Sequence, residues 1–120
     1  MRWPVLALLP LVMLGCASQK TPATADVAVS RNAVDSAASS GAAELAPAEM
    51  TSARDKMQRA STALAAKDYA TARELANQAS ADAKLAQSKA NSAKATAAAD
   101  ALQEDIRVLR EEVERANKPQ

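Results

Sequence analysis

Apolar residues recur every three or four positions from residue 27 onward, which is the spacing of a helix that buries one side. The first such run is predicted to begin at Val27 with Asp26 as its N-cap, and Ser39-Ser40-Gly41 is expected to weaken or end it. Its inward positions are Val27, Val34, Ala38, Gly41 or Ala42, and Leu45. A second helix is predicted from Pro47, because proline is tolerated at the first helical position. Its inward positions are Met50, Ala53, Met57, Ala60 and Leu64.

The third predicted helix is the longest, since no glycine or proline interrupts the chain from Tyr69 to Asn117. Asp68 is placed to cap it, and its length would reach roughly 70 Å. Its inward row is composed of small residues: Ala72, Leu75 with Ala76, Ala79, Ala83, Ala86, Ala90, Ala93 and Ala97. Because small side chains let helices approach closely, the second helix is expected to lie antiparallel against residues 72–90.

Beyond residue 97 the apolar positions become large and change phase. They are Leu102, Ile106, Leu109, Val113 and Ala116, a two-heptad coiled-coil pattern. Three i,i+4 ion pairs are predicted along this stretch: Arg107 with Glu111, Arg110 with Glu114, and Glu111 with Arg115. The second helix is too short to cover this stripe, so it is expected to bind a second copy or another protein. The alternative that the first helix or the preceding spacer folds over it stays open.

These patterns predict an all-α fold, either a short antiparallel helical hairpin or a three-helix bundle, with a long third helix that ends in a coiled-coil-like extension. A chain of 120 residues with only two glycines and abundant alanine fits one small helical domain. The predicted divisions are residues 1–15 (signal peptide), 16–26 (flexible spacer), 27–97 (hairpin or bundle), 98–117 (extension) and 118–120 (tail).

The composition argues against several classes of function. Histidine is absent and Cys16 is the single cysteine, so neither a His/Cys metal site nor a Cys/His nucleophile pair is expected. The carboxylates are scattered along helices, so we expect no catalytic residues, no cofactor and no small-molecule substrate. Lys+Arg number 15 against 14 for Asp+Glu, and Tyr69 is the one aromatic residue after position 3, so nucleic-acid binding is not expected.

The N-terminus has the pattern of an export signal. Arg2 precedes an apolar run over residues 4–14, which has the length of a signal-peptide core and about half that of a membrane span. Met13-Leu14-Gly15-Cys16 follows and resembles the bacterial lipobox. This resemblance implies cleavage between Gly15 and Cys16, a diacylglycerol on the Cys16 sulfur and an acyl group on its new amino group. Ala17, rather than an inner-membrane-retaining Asp, implies that the chain is anchored in the outer membrane and faces the periplasm.

A wider resemblance rests on three segments: residues 46–50 (Ala-Pro-Ala-Glu-Met), 65–69 (Ala-Ala-Lys-Asp-Tyr) and 72–76 (Ala-Arg-Glu-Leu-Ala). Over roughly residues 27–95 the chain resembles a family of small proteobacterial helical lipoproteins and envelope proteins catalogued as a domain of unknown function. Members tend to carry a Gly-Asp-Tyr turn, and here Lys67 precedes Asp68 and Tyr69. Some relatives carry an OmpA-like peptidoglycan-binding domain downstream, and we do not expect binding by that route here.

The Tyr69 segment is also similar to half of a tetratricopeptide repeat, but a single hairpin is short of the three or so repeats that a peptide-binding array needs. Tyr69 is therefore expected to pack at the turn. The hypothesis that follows is a structural or protein-interaction role in the cell envelope. The alternative is an adaptor or modulator of a periplasmic enzyme or secretion machine, which would use the polar face around Lys84 or Lys89.

Overall fold

A computed structural model describes residues 19–119 of the chain, in which the regular structure is helical. It contains α1 (Lys20–Ser39), α2 (Ala42–Leu45), α3 (Pro47–Ala65) and α4 (Tyr69–Ala116). Both α1 and α3 pack along α4, and they contact each other less extensively. The predicted all-α fold is confirmed, and the arrangement formed is the three-helix bundle. Residues 1–18, with the predicted signal peptide, Gly15 and Cys16, lie outside the described part.

Helix α1 runs in the same direction as α4. Near the start of both helices, Arg73 Nε donates to Asp26 Oδ2 at 2.7 Å. Near the end of α1, Lys94 Nζ donates to the Ser40 carbonyl oxygen at 2.5 Å. The first helix therefore belongs to the bundle and does not fold over the distal stripe, so that alternative is wrong for the part of the chain described.

Helix α3 runs antiparallel to α4, as predicted. Lys56 Nζ lies 2.6 Å from Asp82 Oδ2, and one end of α3 is held by an ion pair between Glu49 and Lys89. The helix begins at Pro47, which confirms the predicted start. Its predicted inward residues are buried, except that Leu64 is only half-buried.

The start of α1 corrects the prediction. The helix begins at Lys20, within the stretch of residues 16–26 that was expected to be a flexible spacer. Pro22 does not prevent this, because it lies in the first turn, where a backbone N–H has no intrahelical partner. Ala23, one helical turn before Val27, is fully buried. Asp26 is therefore not an N-cap but an interior helical residue that pairs with α4.

Helix α1 ends at Ser39, at the predicted break, but the link that follows differs from the prediction. Gly41 has a φ of 80°, a left-handed conformation in which glycine is least strained. The single turn of α2 then buries Ala42 and leaves Leu45 43% exposed, so the inward position predicted for Leu45 is wrong. In α1 it is Ala37 that is fully buried, while the predicted Ala38 is half-buried.

The turn between α3 and α4 is a Schellman motif. The Lys67 N–H donates to the Leu64 carbonyl at 3.0 Å, and the Asp68 N–H donates to the Ala63 carbonyl at 2.9 Å. Lys67 occupies the left-handed position with a φ of 63°. Asp68 then caps α4 as predicted, since its side chain accepts from the Thr71 N–H at 3.1 Å. This hydrogen bond lowers the pKa of the Asp68 carboxyl.

Alanine dominates the core: it supplies twelve of the seventeen buried apolar residues in the described chain. Such a core lets three helices pack closely but buries little apolar surface per residue. On α4 the buried row, hereafter the bundle seam, is Ala72, Leu75, Ala76, Ala79, Ala83, Ala86 and Ala90. Ala93 and Ala97 were predicted to continue it, and this is wrong, because both are exposed beyond the ends of α1 and α3.

Candidate functional site

The candidate site is the part of α4 that projects past the bundle. Every residue from 91 to 116 is exposed, although the helix continues without a break. Leu102, Leu109 and Val113 are 58–60% exposed, and Ile106 is 39% exposed. These four residues, hereafter the distal stripe, are the ones that sequence analysis selected for an interaction, and no other element in residues 19–119 covers them.

The distal stripe and the bundle seam lie on different sides of α4. At about 100° per residue, the centre of the stripe lies roughly 140° around the helix axis from the centre of the seam. The stripe is therefore centred on a side of α4 other than the one that packs in the bundle.

Ion pairs within the distal segment lie around the arginine at position 107. Arg107 pairs with Glu104 at 2.5 Å, and it also pairs with Glu111 as predicted. The hydrogen bond from Arg107 lowers the pKa of the Glu104 carboxyl, and the same bond raises the pKa of the Arg107 guanidinium. The other two predicted pairs, Arg110 with Glu114 and Glu111 with Arg115, are wrong: within residues 19–119 they do not come within 4.0 Å.

Two features of this surface are not among the sequence predictions: the exposure of Val108, and the positions of Asp105 and Arg110 beside the stripe. Val108 is 40% exposed and lies off the stripe, so it contributes an apolar side chain on another side of the helix. Asp105 and Arg110 flank the stripe, and neither forms an ion pair with any residue the structure describes. Heptad positions, assigned from the apolar residues alone, would have identified both flanking charges.

Apart from the distal segment, a concave surface lies between α1 and α3. It is an open groove of about 380 Å³ lined by Val34 and Met57 at its floor and by Arg31, Asp35 and Arg54 at its rim. Arg31 Nη2 donates to Ser61 Oγ at 3.0 Å across it. The floor residues are part of the packed core, so this groove is the surface of the helix contact.

The polar contacts of the bundle are structural. Asp82 accepts from Lys56 and, at 2.7 Å, from Ser52 Oγ, and these bonds lower the pKa of its carboxyl. Lys89 lowers the pKa of Glu49 in the same way. Among residues 19–119 no three Cys, Asp or Glu side chains gather as metal ligands. In the same residues, no helix has the length and apolar content needed to cross a bilayer.

Comparison with known proteins supports a family assignment but not an activity. No curated protein and no solved structure matches the chain. The family described as Domain of unknown function (DUF4398) matches residues 25–102. This range contains α1 from residue 25 onward, all of α2 and α3, and the bundle half of α4, and it ends at the first residue of the distal stripe. The chain belongs to this family of domains of unknown function.

Proposed function

We propose that the chain is a lipoprotein anchored by Cys16 in the outer membrane, and that its distal stripe contacts another protein of the cell envelope or a second copy. The observation that carries the interaction role is the exposure of the four large apolar side chains on the projecting half of α4. Covering such a row with a partner removes apolar surface from water, which is favourable in free energy.

The direction of α1 supports the combination of an anchor with a distant contact surface. Cys16 precedes Lys20 by four residues, so the backbone between them spans at most about 14 Å. Asp26, near the start of α1, pairs with Arg73, and Leu109 is 36 residues further along the uninterrupted helix α4, or about 54 Å. An acyl group on Cys16 would hold the bundle near the membrane and point the distal stripe away from it.

The lipobox resemblance of residues 13–16 supports the anchor. Each acyl methylene that enters a bilayer contributes about 0.8 kcal/mol, and more than one chain is needed for stable attachment. Diacylglycerol and an N-acyl group together meet that requirement.

The anchor is tested by metabolic labelling of bacteria with palmitate. The chain should take up label and fractionate with the outer membrane, whereas Cys16→Ser should remain unlabelled and unprocessed. Recovery of an unlabelled wild-type chain from the cytosol would contradict the anchor.

The interaction role is tested by placing a photoreactive amino acid at position 109 in intact cells. We expect a defined crosslinked product, and far less of it from position 111, which lies on the same helix but off the stripe. Equal crosslinking from the two positions would mean that the stripe is not a specific contact surface.

A further inference from the structure

The phase of the distal stripe assigns each residue a heptad position. The spacing of 102, 106, 109 and 113 is four, three and four, so Ile106 and Val113 are a residues and Leu102 and Leu109 are d residues. β-branched residues at a with leucine at d favour a parallel two-stranded coiled coil. The stripe is therefore of the type that pairs with an identical helix.

Beyond the stripe, the a and d positions of the neighbouring heptads are occupied by alanine. Ala95, Ala99 and Ala116 occupy them, and all three are exposed. The row from residue 95 to 116 covers about three heptads and about 33 Å of helix.

The charges beside the stripe distinguish the two possible orientations. Asp105 is at position g and Arg110 is five residues later at position e, so in a parallel, in-register pair each Asp105 lies opposite the Arg110 of the other copy. In an antiparallel pair g residues lie opposite g residues, and Asp105 and Glu112 would bring acid against acid. The ion pairs of Arg107 with Glu104 and Glu111 use positions b and f, on the outer face, and leave Asp105 and Arg110 available.

A lipid surface fits this face less well than a helix does. Residues 100–118 contain six acidic and four basic side chains, whereas a helix that lies on an anionic membrane carries a basic polar face. The charge balance thus favours a protein partner.

We propose that two copies of this chain associate through residues 95–116 of α4 as a parallel, in-register, two-stranded coiled coil. This deepens the proposed interaction role, on which it rests, by naming the partner of the distal stripe. The parallel orientation also places the membrane-proximal ends of both bundles on the same side, so both acyl anchors can enter one bilayer. An antiparallel pair would place the two bundles at opposite ends of the coiled coil.

The decisive test compares Ile106→Cys with Val108→Cys in the full chain, in native membranes, under mild oxidation. The two positions are matched, since Ile106 is 39% and Val108 40% exposed, but only position 106 faces the partner in the proposed dimer. We expect about tenfold more disulfide-linked homodimer from Ile106→Cys, because a residues meet their own copies across a parallel seam. Equal yields, or crosslinking of position 106 chiefly to a different protein, would overturn the proposal.

The parent chain, with Cys16 alone, gives the background. Dimer formed by the parent would reveal a free thiol and contradict the proposed acylation, while the excess of Ile106→Cys over Val108→Cys would still decide the coiled coil. Crosslinking to a different protein would reject the homodimer and leave the interaction role standing, so the two failures are distinguishable.

Orientation is tested by charge reversal in the Ile106→Cys background. Asp105→Arg sets a second guanidinium against Arg110 of the other copy and should lower the dimer yield, on the order of fivefold. The combination Asp105→Arg with Arg110→Asp restores both pairs and should recover the yield. A yield that does not fall in the single variant, or does not recover in the double variant, would refute the parallel register.

Discussion

Replacing Lys67 by glycine should stabilise the bundle. Lys67 occupies the left-handed position of the Schellman motif with a φ of 63°, where an L side chain crowds its own backbone. Both hydrogen bonds of the motif are backbone bonds, and the Lys67 side chain is exposed. The substitution therefore removes strain without removing a contact.

The change in the free energy of unfolding is the strain relieved at position 67 minus the cost of the greater backbone freedom of glycine. A left-handed conformation costs an L residue about 1–2 kcal/mol, and glycine costs roughly 0.5–1 kcal/mol through its greater freedom in the unfolded chain. The net gain in the free energy of unfolding should be about 0.5–1 kcal/mol. For a bundle of this size, that corresponds to a rise in Tm of about 3–6 °C.

Thermal unfolding followed by circular dichroism measures this change, with the chain from residue 19 onward. Lys67→Ala is the matched control, because it removes the same long side chain but keeps the Cβ and the strain. We expect the glycine variant to unfold at a higher temperature than both the wild type and the alanine variant. A glycine variant no more stable than the alanine variant would refute the strain argument.

Three further predictions concern where the bundle seam ends, the ion pair of Lys56 with Asp82, and the independence of the bundle from the distal stripe. Ala90→Leu should overpack the fully buried end of the bundle seam and cost about 1–3 kcal/mol in urea unfolding, whereas Ala97→Leu should be neutral. The hydrogen bonds from Lys56 and Ser52 lower the pKa of Asp82, so the stability contributed by the Asp82 carboxylate is present above about pH 4 and is lost as the pH falls further. Lys56→Met should therefore weaken the loss of stability in acid, measured by thermal unfolding at several pH values. Ile106→Asp should change the Tm of the bundle by no more than the equivalent of about 0.5 kcal/mol while it abolishes distal crosslinking.

The starts of α3 and α4 could be predicted because local chemistry determines them. Pro47 and Asp68 act within a single turn, through a missing N–H in one case and a capping carboxylate in the other. The distal stripe could be identified for a similar reason, since large apolar residues at heptad spacing stand out in an alanine-rich chain.

The sequence predictions were wrong at the start of α1 and at Ala93 and Ala97 of α4, where tertiary packing determines helix length and burial. The first turn of α1, which contains Thr21 and Pro22, has the composition of a spacer, but it is helical and is followed by the fully buried Ala23. The row of alanines on α4 passes Ala90 without any change in composition. Whether a given alanine there is buried depends on where α1 and α3 end, which the sequence of α4 does not contain.

The rotation between the bundle seam and the distal stripe has a consequence for how the two surfaces behave. Because their centres lie roughly 140° apart on one helix, a partner on the stripe would contact a different side of α4 from the one that packs in the bundle. Ile106 lies 16 residues, or about 24 Å, beyond Ala90, so substitutions in the two surfaces should act additively. If the stripe is the contact surface proposed above, the bundle can vary in stability without altering that contact. A change of partner at the stripe would likewise leave the bundle that carries it folded.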